Sequence, residues 1–438
     1  MRVRAPGRRR GLGLLATSLI VVGVACTSTP PRPTPSGTGR ASTTSSPSTS
    51  PASASPSEGA PTSITLEIPD GSFLLLGDYP PVRSDCVRPE QPRLHARYPG
   101  ALRVERSDDG TLALTVTLPF EDYLKGIAEM PASWPMAALE AQAIAARSYA
   151  LATTGWDGRE GEPLDTPICA TTACQVYRGI PIPPTPDTVR WYRAVRRTAG
   201  EVLLYQGRPA ETVYSSTSNG QTYGNEDVFG SDPLPYLRPV VERDDGASPL
   251  SRWTTRLRFA DLMRFLAKAG EWPDEQAISD VRLESGTVVV SGGGGSRSMD
   301  LGTFRDAVNG WAHCLEPSRY PSGGLPTTIP SRWLSISSGG SAVTVRGRGW
   351  GHGVGMVQWG AYGKARRGLS VEEILAFYYG GFQPEPYPEP GLIHVQVASG
   401  LTSLRIRPSG PGALLNGEGF EGRRIEIRSG DELTARVP

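Results

Sequence analysis

The first hydrophobic pattern beyond residue 62 is a two-residue alternation. Apolar and polar residues alternate over residues 64–68 and again over residues 112–118, and an Asp109-Gly110 pair, typical of a tight turn, precedes the second run. Successive side chains of a strand point to opposite faces of a sheet, so a period of two predicts strands with one buried face. Residues 63–118 are therefore predicted to be mostly β-structure.

The hydrophobic period changes to that of a helix after residue 119. Apolar residues recur every three or four positions over residues 120–127 and again over residues 136–150, which predicts two helices, with Ser133 as the N-cap of the second. Pro131 disfavours helical backbone at the residue before it. The first helix is therefore predicted to end at about Glu129.

Glu129 stands at this helix–loop junction beside two large apolar residues, Met130 and Trp134. Apolar surroundings disfavour the charged form of a carboxyl group and raise its pKa, as a general acid requires. The ordinary alternative is a solvated glutamate at a helix end. Spacing alone favours that alternative, because most such residues have no chemical role.

The rest of the chain alternates between β-rich and helical patterns. Two β-rich runs, residues 202–205 and 211–214, flank Gly207 and predict a hairpin that opens into a hydroxyl-rich loop at residues 215–220. The last stretch, from residue 385, is predicted to form a small β module. Further predicted elements are a helix at residues 259–269, strands within residues 281–290, and a helix at residues 370–379 with Ser370 as N-cap and Glu373 closing a capping box.

A glycine-rich run at residues 347–355 surrounds His352 with five glycines. Glycines at this density let the backbone approach another surface closely, and they place His352 on a constrained loop. A functional histidine and a structural histidine in a tight turn both fit this pattern.

The first 62 residues have the composition of a leader and a tether. Five arginines precede a 15-residue apolar run, residues 11–25, which predicts a signal peptide and is short for a bilayer span of about 20 residues. Cys26 follows this run and resembles the lipidation site of bacterial lipoproteins, although cleavage nearby would discard it. Residues 27–62 contain 10 Ser, 8 Thr and 8 Pro and are predicted to be a disordered tether.

The net charge and the length of the chain bear on its partners and on its number of lobes. With 45 Lys and Arg against 44 Asp and Glu, the formal net charge is +1, which provides no field for holding a nucleic-acid backbone. We therefore expect no nucleic-acid partner. Residues 63–438 exceed the roughly 250 to 300 residues that one hydrophobic core serves, so more than one lobe is expected.

The chain has five cysteines, and four remain if Cys26 is lipidated. An even count outside the cytoplasm indicates two disulfides, for which three connectivities exist. The simplest of these pairs Cys169 with Cys174 and Cys86 with Cys314.

Four segments resemble, in the same order, the SpoIID/LytB family of bacterial cell-wall proteins. They are FEDYLKGIAEMPASWPMAALEAQAIAARSYAL at residues 120–151, CATTACQVYRG at 169–179, VYSSTSNGQT at 213–222 and GRGWGHGVGMVQWGAYG at 347–363. The resemblance spans about residues 66–382. It implies an α+β fold with a SpoIID-like catalytic region at residues 63–384, a β-rich N-terminal part and an inserted α/β lobe at about residues 245–330. Residues 385–438 beyond it are the small C-terminal β module predicted from the pattern of the chain.

The resemblance also implies an activity and reverses the preference drawn from spacing. In this family the Glu of the Glu-Met-Pro element is the catalytic acid of a lytic transglycosylase that cuts glycan strands stripped of stem peptides, which assigns that role to Glu129. A single carboxyl suffices because the sugar's own 6-hydroxyl closes a 1,6-anhydro ring. A hydrolase would need a second carboxyl, and Glu121, Asp122 and Glu140 are near in sequence, so that alternative stays open.

Candidate glycan contacts follow from the polar and aromatic residues of the matched segments. Sugar hydroxyls suit such groups, and the hydroxyl-rich loop and His352 are expected to line the groove. The candidate substrate-binding residues are Gln142, Arg147, Tyr149, Tyr177, Ser215, Ser216, His352 and Gln358.

Members of this family can bind zinc through a cysteine pair with a histidine nearby. In this chain no histidine lies between His95 and His313, and two cysteines without a local third ligand make a poor zinc site. A Cys169–Cys174 disulfide is therefore the preferred interpretation, zinc is the minority one, and no other cofactor is expected.

Three functions remain open at this point. The first is an envelope-anchored lytic transglycosylase with peptidoglycan glycan strands as its partner and a lipid anchor at Cys26. The second is a non-catalytic peptidoglycan-binding protein that stimulates a cell-wall amidase, a role also associated with the family. The third and weakest is a serine hydrolase that uses Ser215 or Ser216 with His352 as base, since no usual nucleophile motif contains those serines.

Overall fold

The structure is a computed structural model that describes residues 62–68, 71–75, 97–180, 186–320, 328–420, 424–430 and 433–437. The predicted leader, the tether, the Cys26 lipidation site and Cys86 lie outside these residues. Among the helices of these ranges, none has both the length and the apolar character needed to cross a membrane.

The described residues contain helices and strands in comparable amounts, which confirms the α+β class. The helices are α1 Phe120–Lys125, α2 Met136–Thr153, α3 Pro186–Arg197, α4 Asn225–Phe229, α5 Phe259–Lys268, α6 Leu301–Leu315, α7 Gln358–Arg366 and α8 Val371–Tyr378. The strands of the first half are β1 Ser63–Glu67, β2 Ser72–Leu75, β3 Arg97–Pro99, β4 Ala101–Arg106, β5 Leu112–Pro119, β6 Ile168–Cys169, β7 Glu201–Val202, β8 Leu204–Tyr205, β9 Arg208–Pro209 and β10 Tyr214–Ser215. Those of the second half are β11 Trp253–Arg258, β12 Ile278–Glu284, β13 Thr287–Gly292, β14 Gly295–Asp300, β15 Leu334–Gly339, β16 Ala342–Gly347, β17 Met356–Val357, β18 Glu385–Pro386, β19 Leu392–Leu401, β20 Ser403–Pro408, β21 Leu414–Leu415, β22 Glu418–Gly419, β23 Ile425–Ser429 and β24 Leu433–Arg436.

Two sheets join the N-terminal and C-terminal parts of the chain around one core. The larger has the order β22-β21-β1-β4-β5-β19-β6, and the smaller has the order β24-β23-β20-β2-β3. The alternating apolar residues of β5 are buried, as the period of two predicts, and they share a hydrophobic cluster with residues of both sheets. The turn at Asp109-Gly110 joins β4 and β5, with Gly110 at φ 77°.

The C-terminal stretch is β-rich as expected, but it does not form a module of its own. The ten-residue β19 lies between β5 and β6, pairing antiparallel with the first and parallel with the second. The boundary drawn at residue 385 is corrected by this pairing, because the hydrogen-bonding edge of β5 is filled by a strand from the far end of the chain.

The two predicted helices of residues 120–150 form, with different ends. α1 stops at Lys125 and is capped by Gly126, so Glu129 lies in the loop after it rather than at the helix end. α2 begins after Pro135, which replaces Ser133 as the N-cap residue and offers no side-chain cap. Its many alanines are buried, and their small side chains let α3, α7 and α8 pack closely around it.

The inserted lobe has its own hydrophobic core and is larger than predicted. α5 and α6 pack against the β11-β16-β15 and β12-β13-β14 sheets around buried residues such as Phe265 and Phe304. The predicted end near residue 330 is too early, because β15 and β16 pair with β11 and extend the lobe to Gly347. The glycine-rich run therefore begins where the lobe returns to the main body.

The β10 strand has a different partner from the predicted one. The hairpin around Gly207 is formed by β8 and β9 alone. β10 pairs in parallel with β17, which places the hydroxyl-rich loop beside the glycine-rich run.

The capping box of α8 is confirmed: Ser370 accepts a hydrogen bond from the Glu373 backbone, and the Glu373 side chain accepts one from the Ser370 backbone.

Candidate active site

Glu129 lies in a bend two residues after Ile127, which forms an antiparallel β-bridge with Tyr177. The Ala128 N–H donates to the Val176 carbonyl at 2.9 Å, and the Arg178 N–H donates to the Gly126 carbonyl at 3.0 Å. The Val176 N–H donates to Glu129 Oε1 at 2.7 Å. This pairing ends α1 early and fixes one oxygen of a half-buried carboxyl group.

Burial raises the pKa of Glu129 above its ordinary value and outweighs two opposing effects, the Val176 hydrogen bond and the positive charge of Arg178. The carboxyl is therefore protonated at a higher pH than an exposed glutamate. No described hydrogen bond uses Oε2, so that oxygen can give a proton to, or take one from, a bound molecule.

Two tyrosines adjoin the Glu129 carboxyl. Burial raises the pKa of Tyr123 and of Tyr214 well above its ordinary value, and the negative charge of Glu129 adds to both shifts. Tyr149 acts on both tyrosines and so belongs to the same cluster. The hydroxyl of Tyr123 has no hydrogen-bond partner among the described residues, which makes it a donor available to a ligand.

Gln175 connects this cluster to α2. Its Nε2 donates to the Ala146 carbonyl at 2.9 Å, and its Oε1 accepts a hydrogen bond from the Tyr214 hydroxyl at 3.1 Å. Gln142 and Tyr149 are seven residues apart, two helical turns, and share the face of α2 that carries Ala146. Tertiary structure thus brings the predicted residue Tyr149 to Glu129 through Tyr123 and Tyr214.

A second polar group lies where β10 meets β17. Gln358 Nε2 donates to Gln142 Oε1 at 3.2 Å, while Gln142 Nε2 is buried without a described partner. Ser215 pairs with Val357 in the adjacent strands, and its Oγ is also buried and without a described partner. Ser216 is half-buried, and its carbonyl accepts from the Trp359 N–H at 3.0 Å. Buried polar atoms of this kind are candidates for hydrogen bonds to a ligand.

Tyr177 lies against Tyr123, with ring centroids 5.4 Å apart. Its ring also covers Gly126, where a Cβ would be 2.2 Å from Tyr177 Cε2. Only glycine fits at that position, and Tyr177 thereby sets the path of the chain leading to Glu129.

His352 uses both ring nitrogens to hold the backbone. Nδ1 accepts from the Val354 N–H at 3.1 Å, so Nε2 carries the proton and donates to the Tyr214 carbonyl at 2.8 Å. Burial lowers the pKa of His352 to about 4. In this geometry His352 is a neutral structural histidine, which corrects both its expected contact with glycan and its role as base in a serine hydrolase.

Arg147 is also placed differently from the sequence-based expectation. Its fully buried guanidinium forms 2.8 Å ion pairs with Glu121 and Glu389 and donates to the Val195 carbonyl. It lies about 140° around α2 from Gln142, given 100° per residue. The predicted contact of Arg147 with substrate is therefore wrong, because its donors are used inside the protein.

The carboxylates near Glu129 in sequence are engaged elsewhere. Glu121 pairs with Arg147, Asp122 pairs with Lys125 at 2.6 Å, and Glu140 pairs with Arg197 at 3.2 Å. Within the described ranges, no carboxylate is among the groups that shift the pKa of Glu129. Burial raises the pKa of Tyr177 and the charge of Asp122 adds to that shift, so Asp122 lies near the aromatic cluster, whereas Glu129 is the carboxyl that adjoins Tyr123 and Tyr214.

Cys169 and Cys174 form a disulfide with a Cα–Cα distance of 5.5 Å. Zinc would require both sulfurs as thiolates and further ligands, and the described residues contain no group of three His, Cys, Asp or Glu that could hold a metal ion. The residues present do not fit a zinc site. The disulfide instead closes the loop that leads to Gln175 and Val176. The predicted Cys86–Cys314 pair includes a residue outside the described ranges.

The sequence analysis missed the residues that support the hydroxyl-rich loop. Asp245 Oδ2 accepts two 2.8 Å hydrogen bonds from Ser218, one from the backbone and one from the side chain. Beside it, the buried Lys364 amine contacts Glu242 and Asp244, each at 3.0 Å. These residues come together from two distant segments, so no local spacing revealed them. Gln175 and Val176 stand in a matched segment that could have indicated them.

The amino-acid sequence of the chain is similar to a known protein family and to several known proteins. The family model described as SpoIID, Stage II sporulation protein, matches residues 108–205, which include Glu129 and both cysteines of the disulfide. An uncharacterised protein of Brachyspira hyodysenteriae is 32% identical over 292 residues, covering 65% of this chain and 71% of that protein. Stage II sporulation protein D of Bacillus subtilis is 29% identical over 279 residues, covering 61% of this chain and 74% of that protein. The chain belongs to the SpoIID family.

The amidase enhancer of Bacillus subtilis is 30% identical to this chain over 297 residues. The match covers 59% of this chain and 39% of the enhancer, so this chain spans about two fifths of that relative's length. Family membership and these relatives support a function related to the cell wall.

Proposed function

We propose that this SpoIID-family chain is a lytic transglycosylase of the bacterial envelope that cleaves peptidoglycan glycan strands lacking stem peptides. Glu129 acts as general acid and then as general base. The observation that carries the proposal is the Glu129 carboxyl itself: the Val176 amide holds Oε1, no described hydrogen bond uses Oε2, and burial raises the pKa.

The chemistry needs one carboxyl in two successive states. Protonated Glu129 donates its proton through Oε2 to the glycosidic oxygen, and the bond from that oxygen to the anomeric carbon breaks. The carboxylate then accepts the proton of the sugar's 6-hydroxyl as that oxygen bonds to the anomeric carbon and closes the 1,6-anhydro ring. The carboxyl ends in its starting state, and no water or cofactor is consumed.

The surrounding residues suit a sugar ligand. Tyr123 and Tyr214 stay neutral because burial raises their pKa values, and the Tyr123 hydroxyl is a donor available to a ligand, while that of Tyr214 donates to Gln175. The buried and unpartnered atoms of Gln142 and Ser215 would bind substrate hydroxyl or acetamido groups. Anchoring of the chain to the membrane through a lipid on Cys26 is part of the proposal.

Product analysis tests the proposal directly. The purified protein, Glu129→Gln and Glu140→Gln are each incubated with amidase-stripped peptidoglycan, and the products are identified by mass spectrometry. Glu140 is the matched control because burial also raises its pKa, although it pairs with Arg197 away from Glu129. We expect 1,6-anhydro ends from the wild type and Glu140→Gln, and a loss of about 10² to 10⁴ in rate for Glu129→Gln.

Other products would overturn the assignment. Glu129-dependent reducing ends would identify a hydrolase, and full activity of Glu129→Gln would remove Glu129 from the chemistry.

A second candidate function is stimulation of a cell-wall amidase without glycan cleavage. The similarity to the amidase enhancer supports it. Binding of stripped glycan without cleavage, together with faster amidase turnover when the protein is added, would favour this function.

A further inference from the structure

Helix α3 contacts both ends of the loop that carries Glu129. The Trp191 Nε1–H donates to the Leu124 carbonyl, at the end of α1, at 3.0 Å. The half-buried Arg190 next to it donates from Nε to the Ala132 carbonyl at 3.1 Å and from Nη2 to the Trp134 carbonyl at 2.8 Å. One helical turn thus holds the chain five residues before Glu129 and three to five residues after it.

The segment after Glu129 is held by a 3.0 Å hydrogen bond from the Trp134 N–H to the Pro131 carbonyl, by packing of the Trp134 ring on Trp359, and by Arg190. Pro131 and Pro135 have no N–H to donate. The Ala132 and Trp134 carbonyls lie before the first turn of α2, and the Arg190 bonds are the described contacts that they make. A guanidinium group bonds two such oxygens at once because its donors form a rigid fork.

The opposite side of Glu129 is fixed by a different element. The disulfide-closed loop of Cys169 and Cys174 leads to Val176, whose amide binds the carboxyl. Glu129 therefore lies between the backbone at Val176 and the part of the loop that Arg190 holds.

We infer that Arg190 is a positioning residue that holds the Glu129 carboxyl against the Val176 amide. The inference rests on the proposed role of Glu129 as the acid. Arg190 acts through the Ala132 and Trp134 carbonyls and takes no part in the chemistry. Without it the loop opens toward water, and the carboxyl becomes hydrated.

Hydration changes the proton affinity of Glu129 in a predictable direction. The groups that face the carboxyl are the Val176 amide and the Arg178 charge, which lower its pKa, and the tyrosines Tyr123 and Tyr214, which stay neutral. Because burial is what raises the pKa, greater exposure lowers it. The acid then loses its proton at a lower pH, and activity falls at a lower pH.

The test uses Arg190→Lys and Arg190→Ala, with Arg193→Ala as the matched control on the exposed side of α3. For Arg190→Ala we expect a drop in kcat of up to about 100-fold from misplacement of the acid, little change in KM, and a shift of the alkaline limb of the pH–rate profile to lower pH. Arg190→Lys supplies a point charge without the fork and should recover only part of kcat. Arg193→Ala should match the wild type.

Hydrogen exchange provides a readout that does not depend on activity. Removing Arg190 should speed exchange of the Val176 amide, while amides of the β4–β5 hairpin keep their protection. Trp191→Phe keeps the aromatic packing, removes the bond to Leu124, and should speed Val176 exchange even if Arg190→Ala does not fold.

The outcomes separate the two proposals. Unchanged Val176 exchange and an unchanged pH profile in folded Arg190 variants would overturn the positioning role. Full activity of Glu129→Gln, with Val176 exchange still faster in Arg190→Ala, would overturn the proposed function while leaving the positioning of the carboxyl intact.

Discussion

The Val176 amide donates a 2.7 Å hydrogen bond to Glu129 Oε1 across two segments that are 47 residues apart. This bond favours the charged carboxylate, while burial favours the neutral acid, and burial is the stronger effect. A carboxyl held in this balance can take up and release a proton without changing its place, as a single residue serving as both acid and base must do.

The raised pKa of Glu129 makes a prediction about stability. Because the folded-state pKa lies above the unfolded value, Glu129 contributes stability that is fully present below the unfolded pKa of about 4.5 and is lost as pH rises through the folded pKa. Glu129→Gln removes this loss and still accepts the Val176 hydrogen bond. Its Tm should exceed that of the wild type at pH 8 and equal it near pH 4.

Thermal unfolding followed across this pH range checks the prediction. The exposed Glu160→Gln should follow the wild type at every pH. A Glu129→Gln variant that is less stable than the wild type at pH 8 would show that the folded protein stabilises the charged carboxylate.

The Cys169–Cys174 disulfide should stabilise the loop that presents Val176. Replacing both cysteines by serine should cost about 2 kcal/mol of unfolding free energy, since the closed loop is short. A reductant should lower the Tm of the wild type more than that of the double variant, and a metal chelator should change neither. Urea unfolding and thermal melts measure these effects, and a loss of stability caused by the chelator alone would point to a metal site.

Arg147 should be required for folding stability rather than for binding. Arg147→Met leaves the Glu121 and Glu389 carboxylates without their shared partner and should lower the unfolding free energy by about 3 kcal/mol. Urea unfolding measures this loss of unfolding free energy. Arg159→Met is the control, because Arg159 forms its ion pairs at the surface and its replacement should have little effect on stability. Equal stability of the two variants would contradict the structural role of Arg147.

Gly126 should not tolerate a side chain. Gly126→Ala places a Cβ 2.2 Å from the Tyr177 ring, so the ring and the segment beside it must move. We expect a loss of about 1 to 3 kcal/mol and a lower rate of glycan cleavage. Gly310→Ala in α6 is the control, since nothing lies within 4 Å of the added atom there. The unfolding free energy and the rate are measured for both variants. If Gly126→Ala is as stable and as active as Gly310→Ala, the packing argument is wrong.

Local rules predicted the elements whose determinants are local. The alternation in β5, the glycine turn before it, and the Ser370 capping box of α8 all form as expected, because each depends on residues within a few positions of one another. Boundaries were less predictable. Pro131 indicated a helix end at Glu129, yet α1 stops at Lys125 because the next residues pair with a segment about 50 positions away.

Some predicted site residues lie near Glu129 and others do not, because contacts between distant segments decide which side chains reach the site. Tyr149 and Gln142 lie on the face of α2 that turns toward the site, whereas Arg147 lies on the other side, and a list of polar residues along one helix contains both. His352 stood out by its glycines, but the structure gives both of its nitrogens to backbone groups. The sequence shows which donors, acceptors and charges a side chain has. The partners that bind those groups in the folded protein come from elsewhere in the chain.

Most secondary-structure elements, the family resemblance and the Glu-Met-Pro residue on which the proposed chemistry depends follow from local sequence alone, because period and motif set them. The surroundings of Glu129 come from packing between distant segments. The Val176 amide and Tyr214 adjoin the carboxyl, and Arg190 bonds the loop after it, from segments up to 85 residues away. The burial that raises a pKa and the hydrogen bonds that lower it exist only once those segments are packed together.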